Sequence, residues 1–271
     1  MKFLVFTDLD GTLLDHHTYS FEDALPAIKK LRELEIPVIL NSSKTKPEMR
    51  QFRQAMENQH PFICENGGAL YYPGDYFAGQ AAVDGSLISD IFGQAHGEII
   101  TTLVELRKNG GYNFSSFHDM GVEGVSANTG LSSEKARMAM QRDCSEPILW
   151  LDTQEQLTHF KNALTKRGLR LVKGGRFYHV MGQFDKSDAM ILLRKKYQEF
   201  HGEPFKTIAL GDAPNDLAML TEADYPVIIA HPDGYKVEIP EHQQVYYSKA
   251  AGPAGWNEAL MMLLNQFNLT G

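Results

Sequence analysis

The chain has 271 residues, of which 43% are hydrophobic and 22% are charged. At roughly 150 residues per domain, this length predicts one large domain or two modest ones, and the composition excludes a disordered or fibrous chain. The net charge of −8, without any run of Lys or Arg, disfavours binding to nucleic acid. No stretch approaches the ~18 consecutive apolar residues of a membrane span, and the first residues lack the apolar run of a signal peptide. We therefore expect a cytoplasmic protein with no membrane partner.

The two cysteines, Cys64 and Cys144, each lie in an apolar stretch. They could form a disulfide or redox pair, or they could be reduced packing residues. A chain this long can bury a sizeable core without disulfides, so reduced packing residues are the favoured interpretation.

The first 82 residues alternate between strand and helix patterns. A continuous apolar run at residues 3–6 predicts a strand buried on both faces, and a three-residue apolar spacing predicts a helix over 21–35. A strand at 36–40, a helix at 47–58 and a strand at 62–64 follow. This order predicts an α/β fold with a doubly wound, mostly parallel, Rossmann-like sheet.

Residues 83–182 have a different pattern, which predicts an inserted α+β cap domain. We expect helices over 87–108 and 132–141, strands at 112–117 and 147–151, and a helix opened by the capping pattern at Thr153. Strands at 169–173 and 177–181 complete this predicted domain.

Residues 183–271 again alternate between strand and helix patterns. Helices are predicted over 188–200, from Leu217 onward and over 253–267, with strands at 207–210, 227–230 and 245–247. Residues 1–82 and 183–271 are therefore predicted to form one catalytic core, interrupted by the cap.

Polar side chains follow several core strands at the point where each strand ends. They are Asp8 and Asp10 after the first strand, Ser42 after the second, and Asp212 with Asp216 after the strand at 207–210; Lys186 opens the next helix. Open α/β sheets bind their ligands at the carboxyl ends of the strands, so we expect these side chains to share a cleft. In an extended stretch residues i and i+2 point to the same side, which brings Asp8 and Asp10 together.

Carboxylates that converge on one point repel one another unless a cation lies among them, and such oxygen ligands suit Mg²⁺. A lysine and a hydroxyl beside such an ion are typical of phosphoryl transfer. The competing interpretation is that each motif is only a turn with an Asx cap. Four motifs in order, each at a strand end, favour the catalytic interpretation.

These motifs resemble those of the haloacid dehalogenase superfamily of phosphatases. The matching stretches are DLDGT at 8–12, Ser42 after its strand, Lys186, and GDAPND at 211–216. The resemblance implies that Asp8 is the nucleophile that forms an aspartyl-phosphate and that Asp10 is the general acid and base. It also implies that Ser42 and Lys186 bind the phosphoryl oxygens. Mg²⁺ would be held by Asp8, the backbone carbonyl of Asp10, and Asp212, with Asp216 in support.

Further stretches resemble one branch of that superfamily, the mannosyl-3-phosphoglycerate phosphatases. They are SSKT at 42–45, ENG at 65–67, and the segments 142–147, 174–179 and 252–258. The resemblance implies a small phosphorylated sugar as substrate, 2-O-mannosyl-3-phosphoglycerate, hydrolysed to mannosylglycerate and phosphate. On the core side the implied substrate contacts are Thr12, Ser43, Lys44, Asn66 and Asn215.

The predicted cap carries cationic side chains that suit a substrate with a phosphate and a carboxylate. They are Arg142, Lys173, Arg176 and His179, and each could instead be an ordinary surface charge. We expect Arg176 to bind the glycerate carboxylate. Glu146 could accept hydrogen bonds from sugar hydroxyls or cap a strand.

Two other functions remain open at this point. The chain could be a phosphatase of the same superfamily acting on another sugar phosphate, such as glucosyl-3-phosphoglycerate or a hexose phosphate. It could also be a non-catalytic phosphosugar-binding module, although a binder has no need for several aspartates around one cation. The sequence does not predict an oligomeric state.

Overall fold

The computed structural model describes residues 1–77, 86–174, 176–239 and 244–269. Within them the strands, in chain order, are β1 (Lys2–Thr7), β2 (Val38–Asn41), β3 (Phe62–Cys64), β4 (Ala69–Pro73), β5 (Leu87–Ile91), β6 (Phe114–Ser116), β7 (Ser145–Trp150), β8 (Leu169–Lys173), β9 (Tyr178–Gly182), β10 (Phe205–Gly211), β11 (Tyr225–Ala230) and β12 (Tyr246–Ala251). The helices are α1 (Leu25–Glu33), α2 (Lys46–Ala55), α3 (His96–Gly110), α4 (Phe117–Thr129), α5 (Ser133–Met140), α6 (Gln154–Thr165), α7 (Lys186–His201), α8 (Leu217–Glu222) and α9 (Gly252–Gln266).

Eight of these strands form one large sheet in the order β12-β11-β10-β1-β2-β3-β4-β5. The neighbours from β12 to β3 pair in parallel, and β4 and β5 add an antiparallel edge. This confirms the predicted doubly wound, mostly parallel fold. Its carboxyl ends bring the loops after β1, β2, β3 and β10 to one side of the molecule.

The central strand β1 is buried on both faces, as its unbroken apolar run predicts. Phe3 and Val5 belong to a core cluster that contains Trp256 of α9, whereas Leu4 and Phe6 belong to the opposite cluster with Leu193 of α7. Helices on both faces exclude water from the strand, and the polar residues that follow it lie at the sheet edge.

Residues 92–182, here called the insert, contain a second sheet with the antiparallel order β6-β7-β9-β8. Helices α3 and α6 pack on one face of this sheet through apolar side chains such as Leu103, Ile148, Phe160 and Val180. Helices α4 and α5 form a separate small cluster around Phe117 and Val125. The insert therefore has an apolar core of its own.

The structure corrects the predicted start of this region. Residues 87–91 are strand β5 and not part of a helix, because their backbone pairs with β4 at the edge of the large sheet, and the helix begins only at His96. The predicted boundary at residues 82 and 83 lies outside the described residues. Since β5 belongs to the large sheet, the insert begins after Ile91.

Helix α4 was not predicted. A capping box opens it, with Ser116 and Asp119 bonding to each other's backbone N–H, and Gly121 interrupts it with a φ of 63°. Two glycines in this helix lower its intrinsic propensity, so the capping pattern was the available signal.

Both cysteines are buried and free, which confirms the packing interpretation. Burial raises the pKa of each thiol, so neither is a ready nucleophile at neutral pH. Among the helices that the structure describes, none is long and apolar enough to cross a membrane.

Candidate active site

A buried lysine joins the ends of β1 and β10. Lys186, at the first position of α7, donates to Asp8 Oδ1 at 2.5 Å and to Asp216 Oδ1 at 2.7 Å. Its side chain is fully buried, and the capping residue Asp185 fixes the start of its helix. Burial lowers the pKa of the Lys186 ammonium, but Asp216 and Asp8 outweigh it and leave that pKa above its ordinary value. Lys186 is therefore a cation at neutral pH.

Asp212 lies beside this pair and is oriented by a neighbouring hydroxyl. Thr12 donates to Asp212 Oδ1 at 2.8 Å, and a Cβ on Gly11 would lie only 2.8 Å from Asp212 Oδ2. Gly11 has a φ of 81°, so this approach of backbone to carboxylate requires glycine. Thr12 is fully buried, and its hydroxyl contacts Asp212. The structure thus gives Thr12 an orienting role that differs from the predicted substrate contact.

Asp8, Asp212 and Asp216 each place a carboxylate oxygen within 4.8 Å of the others. Asp216 Oδ1 accepts from the Lys186 ammonium, and Oδ2 accepts from the backbone N–H groups of Asp212 and Ala213, at 3.1 and 3.0 Å. It therefore organises the loop after β10. The oxygens best available to a cation belong to Asp8 and Asp212.

The electrostatics of this cluster favour a bound cation. Burial raises the pKa of Asp8 well above its ordinary value; Lys186 opposes this shift, and the neighbouring aspartates add to it. Burial and the charge of Asp216 raise the pKa of Asp212 to about 6. A divalent cation among these oxygens would remove the repulsion and keep both carboxylates ionised. The residues present fit a divalent metal with oxygen ligands.

Asp10 is paired with the predicted substrate residue Lys44. The Lys44 ammonium lies 2.8 Å from Asp10 Oδ2, whereas Asp10 Oδ1 is buried and has no hydrogen-bond partner in the described part of the chain. Burial would lower the pKa of Lys44, but Asp10 and then Glu48 hold it above its ordinary value. Lys44 therefore fixes one oxygen of Asp10, and the other has no partner among the described residues.

The loop after β3 is tied to the loop after β2. The Asn66 N–H donates to the Ser42 carbonyl at 3.0 Å, and Asn66 Oδ1 accepts from the Asn215 amide at 3.2 Å. Ser42 is buried, and its hydroxyl accepts from the Lys44 N–H at 3.3 Å. Three predicted site residues on three loops are therefore brought together.

Residues 65–67 all have left-handed backbone angles, with φ values of 53°, 58° and 97°. A Cβ on Gly67 would lie 1.9 Å from the Asp185 carbonyl, so only glycine fits there. Such a run of positive φ is costly for Glu65 and Asn66 and persists only where the surroundings fix it. Here hydrogen bonds from these residues to Lys44 and Ser42 do so.

Glu65 is a functional candidate that the sequence analysis did not select. Its buried carboxylate accepts from the N–H groups of Asp143 at 2.7 Å and Cys144 at 3.2 Å, and from the Ser145 hydroxyl at 2.6 Å. These three donors belong to the insert. Its side chain therefore fastens the insert to the loop that supports Ser42. The only sequence signal was its place in the ENG stretch.

Arg142 is the predicted insert residue with the clearest link to the core. Its guanidinium donates to the Ser145 hydroxyl at 3.0 Å, to the Ala139 carbonyl at 3.0 Å, and to the Ser43 carbonyl at 3.5 Å. Arg142 and Ser43 thus meet at the junction between the insert and the loop after β2.

Glu146 does not face the junction. One of its oxygens accepts from the His118 N–H at 2.7 Å, and the other lies 2.8 Å from His96 Nε2. The side chain is almost fully buried. Because both oxygens hold the starts of α3 and α4, these contacts favour a capping role for Glu146 over the alternative contact with sugar hydroxyls.

The other predicted cations lie on the β8–β9 hairpin. Lys173 is exposed, and so is Arg176, whose guanidinium donates to the Asn128 carbonyl at the end of α4. Burial, and then the charge of Arg142, lower the pKa of His179 to about 3. His179 is therefore neutral at pH 7 and adds no positive charge to the insert, contrary to the prediction.

A doubly wound sheet whose carboxyl edge carries a buried Asp–Lys pair and a cation site is the framework of a phosphoryl-transfer hydrolase. The chain belongs to the haloacid dehalogenase-like hydrolases, whose family pattern matches residues 5–233. The resemblance drawn from the motifs is thereby confirmed.

Two curated relatives match nearly the whole chain. One, from Methanococcoides burtonii, is named glucosyl-3-phosphoglycerate/mannosyl-3-phosphoglycerate phosphatase and is 38% identical over 99% of each chain. A protein of the same name from Persephonella marina is 34% identical over 97% of each chain. Among solved structures, a Thermoplasma acidophilum protein has the same fold, with a TM-score of 0.65 and 19% identity over the full length of both chains.

Proposed function

We propose that this protein is a Mg²⁺-dependent phosphatase that hydrolyses a glycosyl-3-phosphoglycerate through an aspartyl-phosphate on Asp8. The observation that carries the reaction type is the buried pair of Asp8 and Lys186, with Asp10 two residues further along, whose Oδ1 has no partner in the described ranges. A carboxylate nucleophile beside an acid suits an ester whose alkoxide must be protonated as it leaves.

Asp8 and Asp212, with the backbone carbonyl of Asp10, would hold the Mg²⁺ ion, and Asp216 would support them. When bound, the ion neutralises charge on the transferring phosphoryl group. Thr12 and Gly11 keep Asp212 in place for this purpose.

In the first step, an Asp8 oxygen attacks phosphorus and forms an acyl-phosphate bond while the P–O bond to the leaving group breaks. Lys186 counteracts the effect of burial on the pKa of Asp8 and so favours its ionised form, and its positive charge stabilises negative charge on the phosphoryl oxygens. The Ser42 hydroxyl is proposed to bind one of those oxygens. The same step needs a proton on the departing alkoxide.

Asp10 is proposed to supply that proton from Oδ1 and to accept one from the attacking water in the second step. Water then cleaves the acyl-phosphate, releases inorganic phosphate and regenerates Asp8. Lys44 fixes Asp10 Oδ2, so Oδ1 has a defined direction in both steps.

The insert is proposed to act as the cap predicted from the sequence. Arg142 and Glu65 attach it to the core loops after β2 and β3, beside the proposed phosphate site. A cap in this position can exclude water and contact the part of the substrate that the core does not reach.

The substrate proposal rests on the full-length similarity to proteins named for both glucosyl- and mannosyl-3-phosphoglycerate. The two sugars differ at one hydroxyl. We propose the mannosyl ester as the substrate, as the motifs imply, with the glucosyl ester as the alternative.

A phosphate-release assay tests this function. The panel contains 2-O-mannosyl- and 2-O-glucosyl-3-phosphoglycerate, mannose 6-phosphate and p-nitrophenyl phosphate, each with Mg²⁺ and with a chelator. We expect the highest kcat/KM for one of the two phosphoglycerate esters and no turnover with the chelator.

Two results would contradict the proposal. A preference for mannose 6-phosphate would indicate a phosphatase of another sugar phosphate. No phosphate release from any compound, by a protein that still binds them, would indicate a binding module. The Asp8→Asn variant, prepared in the same way, controls for contaminating phosphatases.

A further inference from the structure

Arg170, in the middle of β8, is a half-buried arginine without an acceptor. Its Nε is fully buried, and the guanidinium has no hydrogen bond or ion pair with any residue that the structure describes. The Nε groups of Arg53 and Arg194 are also buried without an acceptor among the described residues, but the rest of each guanidinium has a partner: Arg53 donates to the His60 carbonyl, and Arg194 lies 3.5 Å from Asp224. A buried donor without an acceptor is costly, and guanidinium carries five donors. An acceptor from outside the chain would remove this cost.

The Arg170 side chain lines a cleft of about 290 Å³ between the insert and the core. The insert contributes Arg170 and Val172, and the core contributes Asn66, Asp185, Pro214, Asn215, Leu217 and Ala218. The backbone register of β8 and β9 places Arg170 and Val172 on the same sheet face as Met181 and His179. That face is therefore the one that borders the cleft.

Three residues that line the cleft are bonded to, or next in sequence to, residues of the proposed phosphate site. Asn66 bonds to Ser42 through its backbone, Asn215 precedes Asp216, and Asp185 precedes Lys186. A molecule whose phosphate lies at Asp8 would have its other groups near these walls.

Arg170 is the cation of this cleft, and Asp185 is its anion. Asp185 Oδ1 already accepts from the N–H and hydroxyl of Ser187, at 2.8 and 2.5 Å, and lies at the N-terminus of the sixteen-residue helix α7. The helix dipole and these hydrogen bonds stabilise the Asp185 carboxylate within the chain. The amides of Asn66 and Asn215 are neutral, so among the described residues that line the cleft Arg170 is the charged donor that has no acceptor within the chain.

We propose that this cleft is a subsite for a second anionic group of the substrate and that Arg170 binds the glycerate carboxylate. Guanidinium and carboxylate match as a two-bond pair, which lysine does not reproduce. This assignment rests on the proposed function and deepens it. It replaces the expectation that Arg176 binds the carboxylate, because Arg176 is exposed and already bonded within the insert.

The test compares Arg170→Gln and Arg170→Lys with two other arginine variants of the insert. Arg176→Gln tests the competing residue, and Arg167→Gln is the matched control, since Arg167 is exposed and its guanidinium donates to the Ala163 carbonyl within its own helix region. Each protein is assayed on 2-O-mannosyl-3-phosphoglycerate and on p-nitrophenyl phosphate, which has no carboxylate. For both Arg170 variants we expect kcat/KM to fall on the order of 10- to 100-fold on the ester and far less on p-nitrophenyl phosphate. The loss in the lysine variant would show that a positive charge alone does not bind the carboxylate and that the planar guanidinium is needed.

An equal loss on both substrates, or a larger loss in Arg176→Gln, would overturn the proposal. A separate measurement does not depend on turnover: calorimetric titration of D-glycerate into the protein. Binding that is lost in both Arg170 variants and kept in Arg167→Gln supports the subsite, and binding that persists in them refutes it. If the wild type hydrolyses p-nitrophenyl phosphate but no phosphoglycerate ester, the proposed function fails, and the titration still decides the role of Arg170.

Discussion

The core site and the insert of this protein are built in different ways. In the core, Asp8, Asp212, Asp216 and Lys186 are buried, and hydrogen bonds join all of them into one group. In the insert, the candidate cations lie apart, and Arg176 and Lys173 are exposed. The difference indicates that the chemistry is preorganised, whereas the choice of substrate depends on a few side chains at the junction. Substitutions within this buried group should therefore affect every substrate alike.

Asp8→Asn should have the largest effect. An amide cannot act as the nucleophile and is a poor metal ligand, so turnover should fall by about 10⁴-fold or more on all substrates. Single-turnover phosphate release measures this loss, and circular dichroism checks that the fold persists. Normal release by the purified variant would show that Asp8 is not the nucleophile.

Asp10→Asn should separate substrates by their leaving groups. A sugar or glycerate alkoxide needs a proton, so kcat on the mannosyl ester should fall by about 10²- to 10⁴-fold. The p-nitrophenolate ion leaves without a proton, and its ester should lose much less. Equal losses on the two substrates would contradict the role of Asp10 as general acid.

Thr12→Val should act through the metal and leave the nucleophile intact. The variant keeps the shape of the side chain and removes the 2.8 Å hydrogen bond to Asp212. Loss of such a supporting bond costs about 10- to 100-fold in metal affinity. The Mg²⁺ concentration that gives half-maximal activity should rise accordingly, while kcat at saturating Mg²⁺ changes less. A lower kcat at unchanged Mg²⁺ affinity would place Thr12 in the substrate site after all.

The smallest expected effect is on stability as the pH changes. Because the pKa of Asp212 is raised to about 6 in the folded protein, the folded state binds its proton more tightly than the unfolded state does. The contribution of Asp212 to stability is therefore present below pH 4 and is lost as the pH rises through 6. Metal-free protein should melt a few degrees higher at pH 5 than at pH 7.5, and Mg²⁺ should raise the melting temperature more at pH 7.5. The Asp212→Asn variant should reduce both differences, and Asp8, whose pKa is also raised, should account for what remains. A variant that keeps the full differences would locate the titration elsewhere.

The core site could be predicted because each of its motifs lies within a short stretch of the sequence. Each motif combines an apolar run with the polar residues directly after it. The parallel arrangement of the strands is then enough to bring their carboxyl ends to the same edge of the sheet. Asp8, Ser42 and Asp212 were found in this way. The pairing of Lys44 with Asp10 could not be predicted in this way, because it depends on how the loops after β1 and β2 approach each other.

The insert was harder because its side chains acquire their roles from tertiary contacts. Glu146 and Arg170 are both charged residues on strands, and nothing in the sequence distinguishes them. The structure gives Glu146 two internal partners, whereas Arg170 has none among the residues that it describes. Strand β5 was mistaken for helix because its short apolar pattern is compatible with either structure, and only its pairing with β4 decides.

Glu65 has a mechanical consequence for the movement of the insert. The chain enters the insert after Ile91 and leaves it after Gly182, and two such connections alone would allow rotation in more than one direction. The Glu65 carboxylate adds a further attachment at residues 143–145, beside the entry, where the His96 N–H donates to the Asp143 carbonyl at 2.9 Å, and the Arg142 bond to the Ser43 carbonyl lies next to it. We therefore expect the insert to rock about an axis through this point and to resist twisting. Opening of that kind widens the far side of the junction and leaves the loop that carries Ser42 undisturbed.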